Sequence, residues 1–567
     1  MKEKRVKGWW LIRLALTIVG KKGLKELKET SLDARKSQDK VLRSFLIESK
    51  DTVYGKEHNF STILEAQTSD ELFERFRTYI PVNDYENLRP YVERHKNGEL
   101  DVLFPGKPKM YATTSGTTKE PKWIPITERY YQEVYKKSNQ QWFYTLIQNK
   151  PKVFYGMTLS IVGKAIEGSA PDGTVYGSIS GISQRDIPGF MEVLHPAPAD
   201  VFHIADYKAR YYAIMRMGIE QDITLIITAN PSTLVEMQIN ANEFFDDYVN
   251  DIENGTLSRR FFIPDRIRTA ITAHLKPNPK RAAELRQLKV RFGTVLPKHY
   301  WPHMQVVNVW MCGNTSIYLE KVRDSFPSNT VFHEFGYFAT ECKAGLVLKS
   351  NTLDTVPLGH KIYFEFIHES ELDNPAPKTY QMWEVKKGER YCPVVTTSAG
   401  LYRYNMTDLV EITGFYNEYP LIKFVQKVNG TISLTGEKLH ERQFIEAVAN
   451  CGHELGLKLS FFVGFANPEQ ANYRFYYEFA DRTISQARAE ELTRAVDERL
   501  KEYNSEYQSK RDSNRVKAPE TALLVKDSFE QFKAACIEKG YRDGQFKLNL
   551  LMQDKKRQEM FDELIKK

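Results

Sequence analysis

Cysteine is scarce: five among 567 residues, at positions 312, 342, 392, 451 and 536. An odd number leaves one thiol over in any pairing scheme, and no C-x-x-C occurs, so neither a disulfide framework nor a zinc ribbon is indicated and a reducing cytoplasm is expected. A charge excess is also missing. Lysine plus arginine at 80 against 73 acids leaves +7, too thin over this length to imply a nucleic-acid partner. No apolar run is long enough to cross a bilayer: residues 8–19 follow Arg5 and Lys7 like a signal peptide, but Arg13 interrupts them and Gly20-Lys21-Lys22-Gly23 stands where a cleavage site belongs. That segment reads as a helix packed on the body, with a basic, Trp-bearing helix resting weakly on a membrane surface as the alternative. A Walker A loop is lacking too, because no G-x-x-x-x-G-K-[ST] spacing exists.

What is present is apolar material for more than one core, 41% hydrophobic residues with 27% charged, which excludes disorder and collagen-like repeats. Aromatic residues are spread along the chain, as in cores and pockets rather than a base-stacking platform. The first hundred residues read mainly as helices, with N-cap signals such as Thr68-Ser69-Asp70-Glu71. From there the pattern predicts a helix over 206–217, a strand over 223–228, and a helix from Asn230-Pro231-Ser232 to about Asn250. The unit recurs as a strand over 306–310, a turn at Gly313-Asn314-Thr315, a helix over 316–326 and a strand over 331–335, a parallel crossover. Ligands of open α/β sheets bind beyond the carboxyl ends of strands, so the residues after Trp310 and after Phe335 are expected side by side at a site. Antiparallel strands are predicted over 361–367, 392–396 and 408–413. After about Val428 the pattern becomes α+β, with a strand over 473–477 and a helix over 485–508. The expected class is α/β, a large N-terminal body of mixed sheets with packed helices over 1–427 and a smaller, mobile α+β domain over 428–567.

The most informative stretch is Tyr111-Ala112-Thr113-Thr114-Ser115-Gly116-Thr117-Thr118-Lys119-Glu120-Pro121-Lys122. A glycine lets successive N–H groups turn toward one anion, hydroxyls add donors and lysine adds charge, so a polyphosphate is the natural guest of Thr114, Ser115, Gly116, Thr117, Thr118 and Lys122. An ordinary Ser/Thr-rich surface loop has the same composition. His299 and His303 have metal-ligand spacing for a helix, but Pro302 between them argues against one.

This loop resembles the phosphate-binding motif of the plant auxin-responsive acyl acid amido synthetases and their bacterial relatives, within the adenylate-forming superfamily. The resemblance begins at Tyr54-Gly55-Lys56-Glu57-His58-Asn59-Phe60, includes Ile80-Pro81-Val82-Asn83-Asp84-Tyr85-Glu86 and Ile124-Pro125-Ile126-Thr127, and covers nearly the whole chain. Tyr337-Phe338-Ala339-Thr340-Glu341 is similar to the superfamily's Tyr-x-x-Thr/Ser-Glu segment. The resemblance implies that Tyr337 stacks on adenine with Ala339 in the nucleotide site, that Thr340 binds the α-phosphate, and that Glu341 holds Mg²⁺. Gly313, Asn314 and Thr315 resemble the segment along the adenine. Gly400-Leu401-Tyr402-Arg403-Tyr404-Asn405-Met406-Thr407-Asp408-Leu409-Val410 resembles G-L-Y-R-Y-R-x-G-D-V-V, which assigns Asp408 to the ribose hydroxyls; Asn405 and Thr407 stand where arginine and glycine are usual. Residues 424–428 and 433–439 resemble the interdomain hinge and the first element of the small C-terminal domain, and Gln545-Phe546-Lys547 the family's Gln-Tyr-Lys, whose lysine reaches the adenylate. Leu548-Asn549-Leu550 departs from the usual Thr-Pro-Arg.

The function so implied is activation of a carboxylic acid by ATP and Mg²⁺, then transfer of the acyl group to an amine, most plausibly an amino acid, by a monomer in the cytoplasm. Catalysis would rest on Lys547 and Glu341. Transfer to a thiol such as coenzyme A, or a scaffold that has lost its chemistry, are the alternatives.

Overall fold

The computed structural model describes residues 5–566 except 114–121, 313–315, 373, 429–430, 433, 435–436, 438, 513–515 and 539–547. Packing divides the chain into two compact units, residues 1–406 with 410–424, and residues 407–409 with 425–567.

The first unit opens with six helices, Trp9–Thr30, Ala34–Ser49, Val53–Glu57, Phe60–Leu64, Ser69–Tyr79 and Tyr85–Lys96. Their starts follow local chemistry. The Thr68 hydroxyl accepts from Glu71 N–H at 3.2 Å, and the Asp84 carboxylate accepts from Asn87 N–H at 2.9 Å, satisfying donors that a helix start leaves open. The first helix buries Ile12, Leu16, Gly20 and Leu27, and a Cβ on Gly20 would lie 2.2 Å from Tyr144 Cβ in the helix Lys137–Asn149. The segment is packed on the body. No described helix is long and apolar enough to cross a membrane.

Four parallel strands, Met157–Ile161, Ile223–Thr228, Val306–Asn308 and Val331–His333, lie side by side in that order. Their Ile/Val runs are covered on both faces, as parallel strands require, and Ile226, Val307 and Phe332 are buried in one core. The crossover expected from the sequence is therefore present, with two adjustments. Both late strands end two residues early, although Val309 and Trp310 N–H still bond the ends of the two neighbouring strands, at His333 O and Ala229 O, each at 3.0 Å. The helix expected from Ser232 to about Asn250 is two, Ser232–Glu243 and Phe245–Asn254. Phe244, at φ −108°, ψ 23°, breaks it, and its ring is held against Tyr212 and Phe261.

A larger sheet runs in the order Thr379–Gln381, Tyr363–His368, Arg390–Thr396, Asp408–Tyr416, Tyr419–Lys427, Thr355–Pro357, Gly345–Val347, with Tyr404–Asn405 beside Arg390–Thr396. The three antiparallel strands expected here are found, the last extended to Tyr416. A third sheet pairs Met110–Thr113 antiparallel with Trp123–Ile126, Thr113 opposite Trp123.

The second unit has its own sheet, in the order Glu520–Leu523, Asn472–Phe479, Leu459–Asn467, Leu551–Met552, with helices Glu441–Glu454 and Gln486–Tyr503. The helix predicted to run to 508 stops at Asn504, whose side chain accepts from Tyr507 N–H at 2.9 Å and starts Ser505–Asp512. An asparagine that caps rather than continues is the local cause.

Candidate active site

Three stretches far apart in sequence meet in the first unit. Tyr54 stacks on Tyr402 with centroids 4.8 Å apart. Asn83 donates from its amide to Tyr54 Oη at 3.0 Å and to Tyr402 O at 2.8 Å. Its backbone bonds Arg403 O and Asn405 N–H. The Arg403 guanidinium is buried beneath. Nε and Nη2 donate to the two Glu365 oxygens at 2.8 and 3.0 Å, Nη2 also to Thr379 Oγ1 at 2.9 Å, and Nη1 to Ile80 O at 2.6 Å and Arg77 O at 3.3 Å. All five N–H donors of the side chain are used. Arg403 thus fixes the chain that leads to Asp408.

On this platform stands Lys122. It leaves the hairpin Met110–Thr113/Trp123–Ile126, whose paired ends bracket residues 114–122. Its ammonium lies 3.7 Å from Glu341 Oε1 and donates to Tyr404 Oη at 3.1 Å. It also sits within 5.9 Å of the Tyr85 and Tyr404 ring centres. Tyr85 Oη accepts from Trp123 N–H at 2.7 Å, and burial pushes its phenol up to about 12, so it acts as a neutral hydrogen-bonding group.

Glu341 is carried by a loop folded on itself. Ala339 N–H donates to Cys342 O, and Ala344 and Gly345 N–H both reach Tyr337 O. Gly336 enters this loop at φ +94°, where a Cβ would come within 2.7 Å of Gly345 O, so only glycine fits before Tyr337. Lys343 anchors the loop from behind, its N–H on Tyr130 Oη at 3.0 Å and its ammonium on Asn139 Oδ1. Burial pulls that amine down to about 7.

The segments that follow the two parallel strands touch just after the strands end, whereas Gly313-Asn314-Thr315, expected beside Tyr337–Glu341, lie outside the described residues. Glu334 makes the link, its carboxylate accepting from Met311 N–H at 2.5 Å. Burial pushes Glu334 up to about 7, against the lowering effect of the Met311, Gly336 and Phe335 N–H groups.

Of the residues singled out from sequence, Lys122 and Glu341 are brought together, Tyr337 is buried in the same loop, and Ala339 and Thr340 are half-buried beside it. Thr114, Ser115, Gly116, Thr117, Thr118, Gly313, Asn314, Thr315 and Lys547 lie outside the described residues. Asp408 belongs to the second unit, where its carboxylate forms an ion pair with Lys427 of the hinge stretch. Thr407 has φ 52°, the left-handed region that the family's glycine adopts without strain. Asn405 accepts from the Cys392 thiol at 2.9 Å. His299 and His303 are separately engaged, His299 accepting from Leu296 N–H and His303 facing Asp222 at 3.0 Å. No group of three or more His, Cys, Asp or Glu fit to hold a metal occurs among the described residues.

Sequence reasoning missed Tyr404, Tyr85, Glu334, Lys343, Arg403 and Lys427 as contributors. Tyr85 and Tyr404 sit inside the stretches that carry the resemblance, which was the available signal. Glu334 and Lys343 had none, since a lone acid or lysine beside a motif reads as solvated.

Comparison with known proteins defines the class. The GH3 family N-terminal, central and C-terminal domains match residues 23–331, 355–427 and 442–556, and the chain belongs to the GH3 family. It is 25% identical over 554 residues to jasmonoyl–L-amino acid synthetase JAR4 of Nicotiana attenuata, covering 92% of each chain. It is 24% identical over 562 residues to indole-3-acetic acid-amido synthetase GH3.3 of Arabidopsis thaliana, covering 93% of this chain and 91% of that one. The solved structure of GH3.15 acyl acid amido synthetase superposes with a TM-score of 0.83 at 20% identity over 96% of both chains. A 2-hydroxyisobutyryl-CoA ligase in its postadenylation state reaches 0.53 at 11% identity, covering 93% and 91%. These two share the fold. The expected α/β class of mixed-sheet domains thus holds, and the curated relatives named here are plant proteins.

Proposed function

We propose that this chain is an ATP-dependent acyl acid amido synthetase, an acid–amino acid ligase that activates a carboxylic acid as its acyl-adenylate and passes the acyl group to the amine of an amino acid. The observation that carries the reading is Lys122 beside Glu341 at 3.7 Å, a cation just before the strand Trp123–Ile126 held against a carboxylate of the Tyr337–Glu341 loop. The first step joins two anions. The carboxylate oxygen attacks the α-phosphorus of ATP, the bond to the β-phosphate bridging oxygen breaks, and pyrophosphate departs. In the second step the amine attacks the acyl carbonyl, loses a proton and expels AMP. Activation is needed because a carboxylate is a poor electrophile and AMP is a good leaving group.

The chain's own part is electrostatic and positional. Lys122 supplies positive charge toward the phosphates. Thr114, Ser115, Gly116, Thr117 and Thr118 supply donors, and Thr340 binds the α-phosphate. Tyr337, Ala339, Gly313, Asn314 and Thr315 take the adenine, and Asp408 the ribose. Glu341 fits Mg²⁺: its carboxylate is 14% exposed, and one protein carboxylate is the usual share of an Mg²⁺ whose other positions go to water and phosphate. When bound, Mg²⁺ offsets phosphate charge. The first unit serves as the body and the second, which takes residues 425–427 and 407–409 as well as the expected 428–567, as the lid that brings Lys547 to bear during adenylation. Five free cysteines suit a reducing compartment such as the cytoplasm.

The test is acid-dependent pyrophosphate release over a panel of carboxylic acids with ATP and Mg²⁺, followed by mass analysis of the product with amino acids or with coenzyme A as acceptor. Amide product supports the reading. Thioester alone would move the chain to the thiol ligases, and no pyrophosphate with any acid from folded protein would refute catalysis.

A further inference from the structure

The helix Trp9–Thr30 has two apolar faces. One is spent on the protein, through Ile12, Leu16, Gly20 and Leu27. On the opposite side Trp10 is 56% exposed, Leu11 52%, Leu14 51% and Ile18 63%. Single exposed apolar side chains are ordinary, but four on one stripe are not. The same stripe changes character along its length: positions 10, 14, 18, 21, 25 and 28 recur three or four apart, so Trp10, Leu14 and Ile18 are continued by Lys21, Lys25 and Lys28. These three lysines are exposed. The two acids of the helix offset them only in part. Glu26 faces Lys361 at 3.9 Å, and Glu29 pairs with Lys25 at 3.6 Å, leaving the helix five basic residues against two acidic ones.

We propose that this stripe docks the protein on an anionic lipid surface, the helix lying flat with Trp10, Leu11, Leu14 and Ile18 in the headgroup–acyl boundary and its lysines on the lipid phosphates. The charge decides the occupant, because a purely apolar partner would leave Lys21 and Lys28 without a counter-charge and the stripe with a net positive end, whereas a negatively charged leaflet matches both halves of the stripe. At 1.5 Å per residue the helix is about 33 Å long, and its inner face stays on the body, so it rests on the membrane without crossing it. The proposal does not depend on the catalytic reading.

The experiment uses the full chain and two vesicle populations, phosphatidylcholine alone and phosphatidylcholine with about 30 mol% phosphatidylserine, in a flotation assay. Binding is expected to the anionic vesicles and to fall steeply in 0.5 M salt, a concentration at which screening acts within roughly one headgroup. Lys21→Gln/Lys25→Gln/Lys28→Gln should lower the partition coefficient by about a hundredfold, since each lysine near such a surface contributes roughly fivefold. Ile18→Asp should abolish binding while far-UV circular dichroism is unchanged, as expected for an exposed position. No binding to anionic vesicles, or equal binding by wild type and both variants, would overturn the proposal. So would a concentration-dependent doubling of mass that Ile18→Asp removes, which would assign the stripe to a second copy of this chain.

Discussion

Glu365→Gln is the sharpest probe of how the site is held. The carboxylate is 1% exposed and the Arg403 side chain 6%. Glu365 receives two N–H bonds from Arg403 and the Thr379 hydroxyl at 2.7 Å, with Arg77 Nε 3.7 Å away. Glutamine keeps the volume and one acceptor but removes the charge, leaving a buried guanidinium whose remaining partners are neutral. Removing one partner of a buried pair costs about 3–5 kcal/mol, because the surviving charge is left uncompensated. Glu365→Leu with Arg403→Met should cost less than the sum of the two single changes, by about 2–3 kcal/mol, yet more than nothing, because Ile80 O and Arg77 O then lose a donor. The measurement is equilibrium urea unfolding of the wild type, both single variants and the double, read by a probe in the first unit. A loss under about 1 kcal/mol in Glu365→Gln, or additive costs in the double, would refute the claim that this pair organises the stretch before Asp408.

Four further outcomes are expected. Thr407→Gly should stabilise the protein by roughly 0.5–1 kcal/mol, the relief of a left-handed β-branched residue less the added entropy of glycine; a lower urea midpoint would show that Thr407 is not strained at φ 52°. His95 and Glu334 should respond to pH with opposite signs. Burial lowers His95 to about 4, so the unfolded chain binds the extra proton and wild type loses about 2 kcal/mol relative to His95→Gln between pH 7 and 5; burial raises Glu334 to about 7, so wild type gains a similar amount relative to Glu334→Gln over the same window. Equal pH slopes in the variants and wild type would remove either assignment. ATP with Mg²⁺ should raise the thermal midpoint, chelation should remove most of the rise, and Glu341→Gln should cut pyrophosphate release about a hundredfold or more; unchanged magnesium dependence in that variant would place the metal elsewhere. Lys547→Ala should slow acyl-adenylate formation in a single turnover while ATP binding is retained, and equal rates would take Lys547 out of the reaction and make Lys438 the next residue to test.

Local chemistry was written in the chain. Apolar runs and helical patterns located three of the four parallel strands, the antiparallel strands and the change to α+β after about 428, while Met157–Ile161 went unread, and the Thr68 and Asp206 caps start the helices where short polar side chains can close open N–H groups. Strand order alone gave the expectation that the residues after Trp310 and after Phe335 share a site, a consequence of right-handed parallel crossovers rather than of any pairwise signal. The stretches around Tyr54, Asn83 and Tyr402 were also legible as motifs.

Only the folded chain decided what those motifs do to one another. That Asn83 bridges Tyr54 and Tyr402, that Lys122 faces Glu341 and Tyr404, and that Arg403 spends every donor inside the protein are contacts between residues up to 326 positions apart. No periodicity encodes such pairs, because each is fixed by the packing of separate elements. The same holds for the breaks at Phe244 and Asn504, where tertiary ring contacts and an asparagine cap overrode a continuous helical pattern. It holds for Glu334 and Lys343 as well: their ionisation is set by burial, and burial is a property of the finished fold.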